Sequence, residues 1–162
     1  MDDEAFAGAI VAMTDTLYRV ACAQLRQRAD QEDAVQECLL RAWHKRHTLR
    51  EERYLQTWLI RILINECHRI QRRGKRTVLQ DEMAPPAYDQ PTYLRDAFAS
   101  VPENYRLPML LHYMEGMSVV ETARTLRIPQ GTVKSRLARG RKALKAILGE
   151  EVFEHDFAGS VS

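Results

Sequence analysis

Residues Ser118–Leu144 read SVVETARTLRIPQGTVKSRLARGRKAL, and the architecture of the chain follows from this stretch. Ser118, with Glu121 three residues on, is a capping box in which each side chain satisfies the other residue's free amide, so a helix starts here. Ala123 is small where two helices must approach closely, and Leu126 and Ile128 supply apolar contacts. IPQG then turns the chain, and a second helix is expected from near Thr132. Val133, Leu137, Leu144 and Leu148 recur on one face of that second helix. Lys134, Ser135, Arg136, Ala138, Arg139, Arg141 and Lys142 are left to its other faces. Arg127 stands where helix-turn-helix units often carry glycine, at a point where positive φ is costly for an L side chain.

The charge of this segment is out of proportion to the whole. The chain has 162 residues and a formal net charge of +2, yet residues 131–148 alone sum to +6. A second basic block, residues 61–76, sums to +5, while residues 1–40 sum to −5, 77–130 to −3 and 149–162 to −4. A short helix, a tight turn and a second helix with a basic outer face form the unit that enters the DNA major groove. Side chains near the N-terminus of such a helix reach base edges, and Lys and Arg along it hold phosphates. A basic face on an ordinary surface helix would account for the charge, but not for the box, the turn and the inward stripe together.

Working outward, nearly every apolar pattern has helical period. Phe6, Ile10, Met13, Leu17, Val20 and Ala21 make one stripe, followed by Leu25. After the polar break RQRADQED come Val35, Cys38, Leu39 and Ala42, with Trp43 beside them. Leu55, Leu59, Ile62, Leu63 and Ile70 form the buried face of a third helix. Residues 74–92, GKRTVLQDEMAPPAYDQPT, hold three prolines and no sustained period, which is the composition of a linker. Helical patterning resumes with Leu94, Ala97, Phe98 and Val101, then Leu107, Leu110, Leu111 and Met114, with Pro108 predicting a kink or a late helix start. The fold class is all-α: two small helical domains, residues 1–75 and 93–149, joined by a flexible linker at 76–92. Residues 150–162 form an acidic tail, read as disordered and inert.

Composition excludes other classes. The apolar runs are broken by charge far short of the roughly 20 residues a membrane span needs. The acidic start MDDEAFAG lacks the basic leader of a signal peptide, so a cytoplasmic setting is expected. Cys22, Cys38 and Cys67 form no CxxC pair and read as buried thiols. No HExxH, GxSxG or phosphate loop is present, and His44 and His47 flank Lys45 and Arg46, which repel cations. Catalytic residues, metal ligands, cofactors and a small-molecule substrate are therefore not expected.

The second basic block, TWLIRILINECHRIQRRGKR, sets Arg61, Asn65, His68 and Arg72 on one polar face, widened by Arg69 and Arg73. Asn, His and Arg hydrogen-bond bases as well as phosphates, and Tyr54 and Trp58 add rings on which unstacked bases can rest. Trp58, next to Leu59, is read as core. With DQEDAVQECLLRAW, TWLIRILINECHRIQRR and VPENYRLPMLLHYMEGMSVVETARTLRIPQGTVKSRLARGRKAL in this order, the chain resembles the bacterial sigma-70 family of RNA polymerase sigma factors, in its extracytoplasmic-function group.

The resemblance implies a set of roles. Asp33, Gln36, Glu37, Leu40 and Arg41 would dock on core RNA polymerase, with Leu40 as an apolar centre inside a polar rim. Asn65, His68, Arg69, Arg72 and Arg73 would face the minus-ten promoter element and its opened strand. Thr132, Lys134, Ser135, Arg136 and Arg139 would face the minus-thirty-five element. Residues His47–Arg53 correspond to the family's specificity loop. Promoter DNA is the implied ligand and an anti-sigma factor the implied regulator. An autonomous regulator using the same helix-turn-helix without polymerase is the alternative, and co-purification with core polymerase separates the two.

Overall fold

A computed structural model describes residues 1–74 and 92–157. The chain divides into two compact units, and the described elements of both are helical. The linker expected at 76–92 lies, apart from Thr92, outside the described residues, as do the last five residues of the acidic tail.

In the first unit, α1 (Asp3–Ala12) opens on Asp2, whose carboxylate accepts from the Ala5 amide at 2.7 Å. The single stripe predicted from Phe6 to Ala21 proves to be two helices, α1 and α2 (Thr14–Gln24), bent by 48° at Met13. The Thr14 hydroxyl donates to the Val11 carbonyl at 2.6 Å and the Met13 amide bonds to Ile10, which tightens the chain out of α geometry. Phe6, Ile10, Leu17, Val20 and Ala21 are buried across the bend, so the apolar phase survives it while the helix does not. The polar break is also shorter than expected, because α3 (Arg28–His44) starts inside it. Gln31 is buried there; its amide donates to the Leu25 carbonyl at 2.8 Å and its oxygen accepts from the Cys22 thiol at 3.2 Å.

Two 3-10 turns, Arg46–Thr48 and Glu52–Tyr54, lead into α4 (Leu55–Gly74). Helices α3 and α4 form the central pair, with α2 packed on both. Leu59, Ile60, Leu63, Cys67, Val35 and Cys38 are all but inaccessible to water; Ile62, placed on the core face by its period, is only half-buried. Burial pushes the Cys22 and Cys67 thiols up to about 12 and raises Cys38 further.

The second unit begins with α5 (Thr92–Ala99) and α6 (Glu103–Met109). Pro108 sits in the last turn of α6, where it removes a backbone donor, and the chain answers by changing register. Leu110–Met114 is a π turn, closed by the Glu115 amide on the Leu110 carbonyl at 3.1 Å. That extra residue swings Met114 out to 37% exposure, although its spacing from Leu107 and Leu111 had placed it inside. Among the described residues no single helix is long and apolar enough to cross a membrane.

Next come α7 (Val119–Leu126) and α8 (Gln130–Leu148). The capping box is present, with the Glu121 amide on Ser118 Oγ at 3.0 Å and the Ser118 amide on Glu121 Oε2 at 2.8 Å. Arg127 takes the left-handed conformation (φ 56°), and Ile128 bonds back to the Ala123 carbonyl at 3.1 Å. Helix α8 starts at Gln130, two residues before the expected Thr132, because the Pro129 carbonyl already accepts from Thr132 and Val133. Val133, Leu137 and Leu144 are buried against Val101, Met109 and Ala123, with Leu148 at the edge of the same core.

The tail departs from expectation over its described part. Glu150–Val152 is a helical segment, α9, continuing as a π turn over Phe153–Phe157. Phe153 is 3% exposed within the core of the second unit, and Phe157 lies edge-on to Tyr113 at 5.4 Å. The acidic residues hid two aromatic anchors four positions apart: Phe153, whose full burial is worth about 1.5–3 kcal/mol, and Phe157, which is half-buried beside it.

Candidate nucleic-acid interface

The first unit carries a surface shared by two helices. On α3, Asp33 and Gln36 are exposed, and Leu40 is an apolar side chain 54% exposed. Glu37 and Arg41 are half-buried and paired at 3.3 Å. On α4, Asn65, His68, Arg72 and Arg73 are exposed along one face. Arg73 approaches Asp33 at 3.8 Å, so the residues expected to dock on polymerase and those expected to face DNA meet along the α3–α4 seam.

Arg41 and Arg69 differ from their neighbours. Arg41 Nε lies 2.5 Å from one Glu66 oxygen and Arg69 Nη2 lies 2.5 Å from the other, as close ion contacts rather than aligned hydrogen bonds. Glu66 itself is 4% exposed. The sequence reading missed it. An acid between Asn65 and Cys67 looks like part of the polar face, and only the two arginines at i−25 and i+3 could have signalled its burial.

Tyr54 is exposed, with the Arg53 guanidinium 4.8 Å above its ring, whereas Trp58 is half-buried against Phe6 at 6.0 Å. At the start of the 47–53 loop, Arg46 covers the Trp43 ring at 4.2 Å and holds Asp3 through two bonds, 2.7 and 3.2 Å. The Arg46 bond keeps the Asp3 carboxyl below its ordinary range. Among the described residues no three His, Cys, Asp or Glu side chains cluster as metal ligands would.

In the second unit α8 presents its basic face without neutralisation. Lys134, Ser135, Arg139, Arg141 and Lys142 are exposed, and Thr132 and Arg136 are half-exposed. Among the described residues none of these cations is paired with a carboxylate; Lys145, near the far end, pairs with Glu150 at 3.3 Å. Thr132, Ser135, Arg136 and Arg139 lie within the first three turns of the helix, the part that reaches base edges when such a helix enters a major groove. Five unpaired cations on one helix are a match for phosphates spaced along a duplex.

Comparison with known proteins accords with this geometry. Residues 9–77 match the family model for sigma-70 region 2, and residues 92–144 match that for sigma-70 region 4. The ECF RNA polymerase sigma factor SigM of Mycobacterium tuberculosis is 32% identical over 140 residues, covering 82% of this chain and 71% of SigM. This chain belongs to the ECF sigma factors. SigW of Bacillus subtilis is 28% identical to it over 166 residues, covering 89% of each. In fold, this sigma factor resembles RpoE of Bartonella quintana, solved in complex with the anti-sigma factor NepR (TM-score 0.78, 24% identity, 90% of this chain and 97% of that one). Its fold also resembles CnrH, solved with the cytosolic domain of CnrY (TM-score 0.67, 21% identity, 93% of this chain and 91% of that one).

Proposed function

We propose that this sigma factor docks on core RNA polymerase through the outer face of α3, with Leu40 at the centre of Asp33, Gln36, Glu37 and Arg41. Asn65, His68, Arg69, Arg72 and Arg73 of α4 then bind the minus-ten element and its opened strand. Thr132, Lys134, Ser135, Arg136 and Arg139 of α8 read the minus-thirty-five element. In this reading residues 1–75 and 93–149 act as the two promoter-reading domains, tethered by 76–92. The protein is an initiation factor, and bond making belongs to the polymerase. It works in the cytoplasm, and an anti-sigma factor is its regulator, a reading supported by the likeness to RpoE, which was solved in complex with the anti-sigma factor NepR.

The observation that carries the reading is the unpaired basic face of α8 behind a fully formed capping box and turn. Each basic block alone offers about half a dozen charges, enough only for weak, salt-sensitive binding. Joint engagement of two elements gains affinity only when their separation is set, and polymerase sets it. The test is a promoter-binding titration with and without core enzyme, repeated with the spacer between elements changed by a few base pairs. The free protein should bind weakly and the holoenzyme tightly, with a sharp spacer optimum. Tight, spacer-insensitive binding by the free protein would favour the autonomous regulator.

A further inference from the structure

Among the described residues Glu66 is the only buried charged side chain. A carboxylate held away from water is costly unless its oxygens are met by charge. One guanidinium binding both oxygens would be sufficient. Here the oxygens are divided instead: Oε1 faces Arg41 from α3, and Oε2 faces Arg69 one turn along α4, each at 2.5 Å. Arg41 is held a second time, by Glu37 at 3.3 Å, whereas Glu66 is the one carboxylate paired with Arg69 among the described residues.

The two arginines are each 39% exposed, against 63% for Arg73 beside them. A guanidinium is a rigid plane of N–H groups, so Arg69 can set Nη2 against Glu66 while the far side of the plane stays turned outward. Arg69 is therefore confined by its ion contact with Glu66, whereas His68 and Arg72 are exposed side chains that must be ordered when a ligand arrives. We propose that Glu66 is a positioning residue for promoter opening: it holds Arg69 in the orientation in which its free edge meets the opened minus-ten strand. The inference rests on the assignment of Arg69 to the DNA-facing side of α4.

The experiment is a mutant cycle of Glu66→Gln, Arg69→Gln and the double variant, each assembled with core polymerase at saturating concentration. Promoter opening is read from the reactivity of unpaired thymines, and core affinity and thermal unfolding are measured in parallel. Arg69→Gln leaves Glu66 paired with Arg41 and should fold. Glu66→Gln keeps the shape and removes the charge; it should slow opening about tenfold, the size of one lost charge-assisted contact. Core affinity should change less than threefold, because Glu37 still holds Arg41. The double variant should be no slower than Arg69→Gln alone. Multiplying losses in the double variant, or unchanged opening in Glu66→Gln, would overturn the inference. If Glu66→Gln does not fold, Glu66→Asp, which keeps the charge but retracts it by one methylene, replaces it in the same cycle with the same criteria. Normal opening by Arg69→Gln would overturn the assignment of Arg69 itself, and failure of the parent chain to open a promoter would overturn the functional reading.

Discussion

Gly140 of α8 packs its backbone directly on the side chain of Met109 in α6. A methyl group built at residue 140 would overlap Met109 Sδ, with Met109 Cγ at 3.0 Å and Tyr105 Cβ at 3.2 Å. Met109 is 1% exposed and would have to shift within the core, and Tyr105 Cβ is fixed to its own backbone. Glycine here is what lets α8 lie close to α6.

Gly140→Ala should therefore destabilise the second unit by about 1 kcal/mol. At an open helical site the same change would gain about 1 kcal/mol, but overpacking a tight core costs about 1–3 kcal/mol. The midpoint of urea unfolding decides between them. A rise in midpoint would mean that Met109 swings aside freely.

Arg127→Gly should act in the opposite sense. The left-handed backbone at residue 127 costs an L side chain about 1–2 kcal/mol, which glycine avoids. Part of that gain is lost to the freedom of glycine in the unfolded chain. A net stabilisation of about 0.5–1 kcal/mol is expected from thermal unfolding, with promoter preference unchanged. Destabilisation would show that the Arg127 side chain contributes a contact that outweighs the strain.

Phe153→Ala tests the docked tail. Removing a buried phenylalanine costs about 3 kcal/mol or more, enough to lower the unfolding midpoint of the second unit clearly while leaving the first unit unaffected. A change under about 0.5 kcal/mol, the range of ordinary surface substitutions, would return residues 150–157 to the status of an inert extension.

Two cations of α8 should behave differently. Arg139 is exposed and unpaired, so Arg139→Ala should weaken promoter binding by about 1–3 kcal/mol and relax preference at one minus-thirty-five position. Lys145 is already partnered by Glu150, so Lys145→Ala should lower affinity slightly and equally for all sequences. Competition binding against a set of single-base promoter variants distinguishes them. A larger shift in preference for the Lys145 variant would mean that α8 enters the groove the other way round.

The thiols of Cys38 and Cys67 predict a falling stability in alkali. Both ionise above their ordinary pKa in the folded state, through burial. The contribution is whole below about 8.5, the unfolded value, and declines as pH rises toward the folded one, by about 1.4 kcal/mol per thiol per pH unit. Urea midpoints measured from pH 7 to 10 should fall beyond pH 8.5. Cys22 is raised by burial as well, so the variant with all three cysteines replaced by alanine should lose that slope, and a slope persisting there would assign it to other groups.

Much of this was readable in the sequence because helical period, caps and turn chemistry are local. Ser118 with Glu121 and the Val133–Leu137–Leu144 stripe follow from spacing alone, and the αL backbone at Arg127 from the glycine that helix-turn-helix units often carry there. The break at Met13 was hidden because both helices keep the same apolar phase. Glu66 was hidden because burial of an acid depends on arginines brought from elsewhere on α3 and α4. Gly140 reads in sequence only as a weak helix former, since the side chain that needs its absence of Cβ lies 31 positions back. Phe153 and Phe157 were outvoted by the acids around them. Charge counts describe the solvent side of a helix and are silent about its inner face.

The π turn at Leu110–Met114 makes the placing of the recognition unit a matter of counting. A π turn spends one residue more than an α turn, and one residue is about 100° of rotation about a helix axis. The extra residue, inserted just after Pro108, therefore decides in which direction the chain leaves α6 for Met117 and the Ser118 cap. A chain shortened by a single residue here would keep every side chain proposed to read bases, yet turn α7 and α8 to a different bearing on the unit's own core.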